Sequence, residues 1–82
     1  MAKDITVFTR NTCAYCATVK KWMSSKGINY NEVNLDEHPE LEQEVFTKSG
    51  ARTVPVTIIT KEDNMQEVVV GPNFARLSSA AA

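Results

Sequence analysis

The chain alternates between two spacings of apolar residues, one typical of strands and the other typical of helices. Four short segments, rich in β-branched residues or alternating between apolar and polar positions, predict β-strands at residues 5–8, 28–35, 54–59 and 67–70. Three helical patterns separate or follow these strands. They predict helices at residues 14–26, from Pro39 to the residue before Gly50, and at residues 74–80.

Each predicted helix has an apolar face or a recognisable boundary signal. Val19, Trp22 and Met23 recur at helical spacing in the first helix, so we expect them in the core and not at a functional site. Pro39 suits the first position of the second helix. Asn73 is expected to cap the third helix, because its side-chain oxygen can accept from an unpaired backbone N–H.

The order of the elements, βαβαββα, predicts an α/β fold with a single domain over residues 1–82. Right-handed crossovers between parallel strands would place helices on both faces of a four-stranded mixed sheet. We expect the first strand to be central and parallel to the second and third strands. The fourth strand follows the third through a tight turn, so we expect it to be antiparallel at an edge.

The composition and net charge of the chain argue against nucleic acid and membranes as binding partners. The chain has 82 residues, of which 43% are hydrophobic and 23% charged, as in an ordinary globular protein. Its net charge of -1, with interspersed signs, predicts binding neither to nucleic acid nor to an anionic membrane. No apolar leader or membrane-spanning stretch is recognisable, so we expect a cytoplasmic protein. We also expect a monomer.

Cys13-Ala14-Tyr15-Cys16 contains both cysteines of the chain and lies where the first strand gives way to the first helix. Unpaired backbone N–H groups and the helix dipole favour a thiolate on Cys13, and the thiolate is the reactive form. Cysteines one helical turn apart can also close a disulfide without backbone movement. This placement predicts a redox centre.

Two other roles for the cysteine pair fit the sequence less well. A zinc site normally needs four ligands, and beyond the two thiols the chain offers only His38 as a soft or borderline ligand. A structural disulfide would close a loop too short to remove much entropy from the unfolded chain. We therefore expect no metal, and we expect thiol–disulfide exchange by a Cys-x-x-Cys motif in a βαβ context, which is typical of a thioredoxin fold.

The chain resembles the small dithiol glutaredoxins of bacteria over nearly its whole length. The matching segments are residues 8–16, 24–27 and 48–50 and the tripeptide Thr53-Val54-Pro55. The resemblance implies that the Val54–Pro55 peptide is cis and lies against the two cysteines. Val54 would then offer its backbone N–H and C=O to an extended thiol peptide, which docks as an added strand.

The resemblance also implies a groove for glutathione around the cysteine pair. Arg10 would lower the pKa of the Cys13 thiol and hold a substrate carboxylate, although a solvated loop arginine is the simpler alternative. Tyr15 would form a wall of the groove. The remaining groove residues are expected to be Thr53, Val54, Pro55, Gly71, Asn73 and Phe74.

One segment departs from the family pattern. Glutaredoxins that bind glutathione well commonly have two glycines and then an aspartate after the fourth strand, whereas this chain has Gly71-Pro72-Asn73-Phe74. The missing carboxylate would hold the free ammonium group of glutathione, and Asn73 offers only a neutral oxygen. Backbone N–H groups of the last helix can still receive the γ-glutamyl carboxylate.

These features predict a thiol–disulfide oxidoreductase without a bound cofactor that uses glutathione as reducing co-substrate. Cys13 would attack protein disulfides or glutathionylated proteins, and Cys16 would resolve the mixed disulfide. An alternative donor is a thioredoxin reductase, with ribonucleotide reductase as one possible target. A further alternative is an iron–sulfur carrier, in which Cys13 and glutathione from two chains hold a cluster.

Overall fold

The computed structural model describes the backbone of residues 2–50 and 53–81 and the side chains of residues 4–50 and 53–79. The order βαβαββα is confirmed, and the elements are β1 (Ala2–Thr9), α1 (Ala14–Ser25), β2 (Asn31–Asn34), α2 (Glu42–Ser49), β3 (Val56–Lys61), β4 (Gln66–Val70) and α3 (Phe74–Ala81). A single 3-10 turn, Pro39–Leu41, precedes α2. None of the helices in these ranges is long and apolar enough to cross a bilayer.

The four strands form one mixed sheet in the order β2-β1-β3-β4. β1 is parallel to β2, and β4 lies at an edge antiparallel to β3, as expected. The prediction that β3 is parallel to β1 is wrong, because the two strands are antiparallel and Phe8 pairs with Val56. β2 ends and β3 begins at the same end of the sheet, so the short α2 does not return the chain to the opposite end.

The apolar sequence of β3 explains this error. Its first four residues are all buried, so side chains on both faces of the strand lie in the core. A continuous apolar run is typical of a parallel strand covered on both faces. An antiparallel strand in the middle of a sheet has the same environment, so the pattern does not distinguish the two directions.

Helices cover both faces of the sheet and divide the core into two clusters, as predicted. On one face, Val19 and Met23 of α1 and Leu77 of α3 pack against strand residues that include Val7 and Ile59. On the other face, residues of α2 pack against β3. Met23 is completely buried, which confirms its assignment to the core.

Candidate active site

The cysteine pair lies at the junction between β1 and α1. Cys13 is the N-cap of α1, with an extended backbone, and its Sγ accepts a hydrogen bond from the backbone N–H of Cys16 at 3.1 Å. The two Cα atoms are 5.3 Å apart, and the side chains form a disulfide. The expected helix-start position is therefore confirmed, and the Cys16 N–H points at the sulfur on which a thiolate would form after reduction.

The two sulfurs differ in accessibility. Cys16 is only 1% exposed, whereas Cys13 is partly exposed. A macromolecular partner can therefore approach Cys13, and Cys16 is reached only from within the protein. This difference agrees with the order of attack expected from the sequence.

His38, the third zinc ligand considered from the sequence, is not part of a ligand cluster with the cysteines. His38 is exposed, and its Nδ1 lies 3.3 Å from Oε2 of Glu40. Among residues 2–50 and 53–81, no group of three or more His, Cys, Asp or Glu side chains could hold a metal ion. The described residues thus supply no ligand set for the zinc alternative.

Pro55 lies at the same end of the sheet as the cysteine loop. The Val54–Pro55 peptide is cis, which confirms the prediction. Pro55 is buried and Val54 half-buried, while Thr53 is exposed. The backbone N–H of Gly71 donates to the Pro55 carbonyl at 2.8 Å. Two of the predicted groove segments are thereby joined directly, with Gly71 in the left-handed region at φ 77°.

Asn73 and Phe74 form the start of α3. The side-chain Oδ1 of Asn73 accepts from the backbone N–H of Arg76 at 3.2 Å, which confirms Asn73 as the helix cap. The Phe74 ring packs on the Trp22 ring, with centroids 5.5 Å apart. Tyr15 is 63% exposed on α1. The participation of these residues in a glutathione groove stays a prediction.

The guanidinium of Arg10 is held by two carboxylates that the sequence analysis missed. Its nitrogens lie 3.2 Å from Asp36 and 3.0 Å from Glu42. Hydrogen bonding and the charge of Glu42, together with the weaker effect of Asp36, raise the pKa of Arg10. Asp36 also accepts from the backbone N–H of Asn11 at 2.8 Å, so it holds the loop that leads to the cysteines.

A signal for the contact with Asp36 is present in the sequence. Thr9 and Asn34 pair at the ends of two parallel strands, and Arg10 and Asp36 follow these residues closely. Because the carboxyl ends of adjacent parallel strands meet at one edge of a sheet, the opposite charges could have been expected there. Glu42 has no such signal, because its position depends on how α2 packs.

A second polar network fixes α1 on the sheet. The buried Thr9 hydroxyl donates to Glu32 at 2.8 Å, and Lys20 of α1 lies 3.0 Å from the same carboxylate oxygen. The hydrogen bond from Lys20, followed by that from Thr9, lowers the pKa of Glu32. This network ties the helix that carries both cysteines to β1 and β2.

The sequence of this chain is similar to those of known glutaredoxins and glutaredoxin-like proteins. The glutaredoxin family model matches residues 5–63. The glutaredoxin-like protein NrdH of Lactococcus lactis is 46% identical over 59 residues, which are 72% of this chain and 78% of that protein. Glutaredoxin 3 of Escherichia coli is 34% identical over 56 residues, 68% of each chain.

A solved structure extends the similarity beyond the aligned sequence. The Escherichia coli glutaredoxin-like protein NrdH-redoxin, described for its thioredoxin-like activity profile, superposes with a TM-score of 0.78 at 26% identity, covering 93% of this chain and 92% of that one. The architecture is therefore a thioredoxin fold. With its Cys13–Cys16 pair, the chain is a thiol–disulfide oxidoreductase that belongs to the glutaredoxin family.

Proposed function

We propose that this redoxin, as a single-domain monomer, takes electrons from a thioredoxin-reductase-type flavoenzyme and passes them through Cys13 and Cys16 to protein disulfides. Ribonucleotide reductase is one candidate target. The observation that carries the choice of donor is the pairing of Arg10 with Asp36 and Glu42. We also propose a cytoplasmic location, since a reducing compartment lets such a pair act as a catalyst instead of a permanent cross-link.

The catalytic steps follow from the unequal exposure of the two sulfurs. In the reduced protein, the Cys13 thiolate attacks one sulfur of the substrate disulfide, and the other substrate sulfur leaves as a thiolate that takes up a proton. Cys16 then loses its proton and attacks Cys13, which forms the internal disulfide and releases the second substrate thiol. The substrate gains two electrons and the cysteine pair loses two. The reductase returns them by the reverse exchange.

The geometry of Cys13 supports its role as the attacking sulfur. The Cys16 N–H that donates to the Cys13 sulfur at 3.1 Å belongs to the first turn of α1. Such a donor, together with the helix dipole, stabilises negative charge on the attacking or leaving thiolate. Because Cys16 is buried, the disulfide sulfur that it can reach is that of Cys13, once Cys13 has bound the substrate.

The charges around the groove support a donor other than glutathione. Glutathione offers carboxylates and an ammonium group, and tight binding calls for a protein cation and a protein anion in matching places. Here the cation nearest to the cysteines in the sequence, Arg10, is already engaged by the two carboxylates of Asp36 and Glu42. Asn73 stands where relatives that bind glutathione carry an acid, and its oxygen already caps α3. The thioredoxin-like profile of the Escherichia coli NrdH-redoxin supports the same choice.

Glutathione dependence, the first expectation from the sequence, stays as the second candidate. The similarity to glutaredoxin 3 favours it. Backbone N–H groups at the start of α3 could still receive a carboxylate of the tripeptide.

An assay of NADPH consumption with one disulfide substrate separates the two donors. One arm contains thioredoxin reductase, and the other contains glutathione with glutathione reductase. We expect turnover mainly in the first arm, and none in either arm for Cys13→Ser. Turnover that depends on glutathione and is absent with thioredoxin reductase would refute the proposed donor. Activity that survives in Cys13→Ser would refute the catalytic role itself.

A further inference from the structure

Thr57 is a completely buried residue whose hydroxyl has no hydrogen-bond partner. Among the buried side-chain nitrogen and oxygen atoms of the described residues, the Thr57 hydroxyl oxygen is the one without a hydrogen-bond partner. The other buried threonine, Thr9, donates to Glu32 at 2.8 Å. A buried hydroxyl without a partner destabilises a fold, and valine would fill almost the same volume without this penalty. We therefore asked whether the Thr57 hydroxyl gains a hydrogen-bond partner in the reduced state of the protein, in which the disulfide is open.

The sheet register places Thr57 under the helix that carries the cysteines. Thr57 pairs with Val7 on one side and with Val69 on the other. Paired residues of adjacent strands point to the same face of the sheet. Val7 and Val69 belong to the cluster that contains Val19 of α1, so the Thr57 side chain lies on this face too.

Cys16 belongs to the same face of α1 as the core residues beneath it. Cys16, Val19 and Met23 are spaced by one helical turn each, and all three are buried. α1 connects two parallel strands, so it runs back along β1 and its first turn lies at the end where β1 finishes. From Met23 to Cys16 the helix rises about 10 Å, and from Ile59 to Thr57 the strand spans about 7 Å. Both residues are therefore displaced from the centre of the cluster toward the cysteine loop.

We propose that Thr57 is a positioning residue whose hydroxyl hydrogen-bonds to the sulfur of Cys16 in the reduced protein. In the oxidised protein, the Cys16 sulfur is bound to Cys13 and is at best a weak acceptor. Reduction adds two electrons, breaks the S–S bond and leaves Cys16 as a thiol or thiolate. A thiolate is a strong acceptor for the Thr57 O–H.

This contact would act on the resolving step. Cys16 must attack the Cys13 sulfur of the mixed disulfide, so that the bond to the substrate breaks as the Cys13–Cys16 bond forms. A hydroxyl donor would raise the thiolate fraction of Cys16 and hold its sulfur beneath Cys13. It would also stabilise the dithiol relative to the disulfide. The proposal rests on the exchange reaction of Cys13 and Cys16 and is independent of the electron donor.

Equilibration with a reference dithiol tests the proposal directly. The full chain is incubated with mixtures of oxidised and reduced dithiothreitol, and the fraction of dithiol is measured by alkylation for wild type, Thr57→Val and Thr57→Ser. We expect Thr57→Val to shift the equilibrium toward the disulfide by about fivefold, the effect of one net hydrogen bond. Thr57→Ser keeps the hydroxyl and should stay close to wild type. Thr60→Val, at a half-buried position near the end of β3, serves as a control and should not change the equilibrium.

Thermal unfolding of the two redox forms excludes a merely structural role. Thr57→Val should raise the Tm of the oxidised protein, because it removes an unpaired buried hydroxyl. In the reduced protein the same variant also removes the hydrogen bond to Cys16, so its Tm should rise less than that of the oxidised protein or should fall. Equal shifts in both forms, or a serine variant that behaves like valine in the dithiothreitol equilibrium, would overturn the proposal. A wild type that does not interconvert between dithiol and disulfide would overturn the proposed function together with this inference.

Discussion

Releasing Arg10 from its carboxylate partners should improve the use of glutathione. The double variant Asp36→Asn/Glu42→Gln keeps the size of both side chains and an oxygen acceptor on each, but it removes both charges that face the guanidinium. In wild type, the backbone N–H of Asn11 donates to the Asp36 carboxylate at 2.8 Å. The amide oxygen introduced by Asp36→Asn can still accept this hydrogen bond. The loop before Cys13 should therefore keep its conformation, while Arg10 becomes free to meet a carboxylate of the tripeptide.

The expected magnitude follows from the exposure of the ion pairs. The side chain of Arg10 is 28% exposed, that of Asp36 is 37% exposed and that of Glu42 is 41% exposed. Ion pairs that are this accessible to solvent contribute about 0.2–1 kcal/mol each. Removing two competitors should make a new pair with glutathione more favourable by about 1 kcal/mol. The KM for glutathione should then fall by about fivefold.

The assay measures NADPH consumption with glutathione and glutathione reductase over a range of glutathione concentrations. Glu44→Gln is the matched control, because it also removes a carboxylate from α2 but one that pairs with Lys48 at 3.7 Å. The control should leave the KM unchanged. Adding Arg10→Gln to the double variant should abolish the gain. If the gain persists without Arg10, or if Glu44→Gln produces it too, a general change of surface charge is responsible and the reasoning is refuted.

Three further predictions concern the cysteines, the cap of α3 and the network at β2. Cys13→Ser should abolish all exchange activity, whereas Cys16→Ser should lose reduction of protein disulfides and keep part of the deglutathionylation activity; equal loss in both assays would assign Cys16 a role beyond resolution. Asn73→Asp should keep the cap and add a carboxylate for the ammonium group of glutathione, lowering the KM by about fivefold for a charge-assisted hydrogen bond of ~1 kcal/mol; an unchanged KM would show that position 73 does not face the ligand. The folded-state pKa of Glu32 is lowered from its ordinary 4.5, so its stabilising effect is fully present above that value and is lost as pH falls through the lowered pKa. Glu32→Gln should consequently reduce the fall in Tm between about pH 6 and about pH 3, and an unchanged slope would contradict this contribution.

Local sequence signals determined the elements and the placement of the redox pair. The change of apolar spacing after Phe8 places Cys13 at the start of a helix, because strand and helix periodicities are properties of adjacent residues. The cap at Asn73 is equally local, since its oxygen reaches an N–H three residues ahead. The cis Val54–Pro55 peptide was predictable only through the family resemblance, because trans is the commoner form before proline.

Only the tertiary structure decided the direction of β3, the partners of Arg10 and the isolation of the Thr57 hydroxyl. The buried sequence of β3 fits either direction, because core contacts on both faces of a strand do not depend on its polarity. Arg10 and Glu42 are too far apart in the sequence for any periodicity to relate them, and they meet through the packing of α2. In the sequence, Thr57 is not distinguishable from other β-branched strand residues. Its hydroxyl is unpaired because the fold buries it completely in a strand between Val7 and Val69. Short sequence motifs thus determine the chemistry of the site. Its charge balance and its buried polar contacts depend on distant segments that the fold brings together.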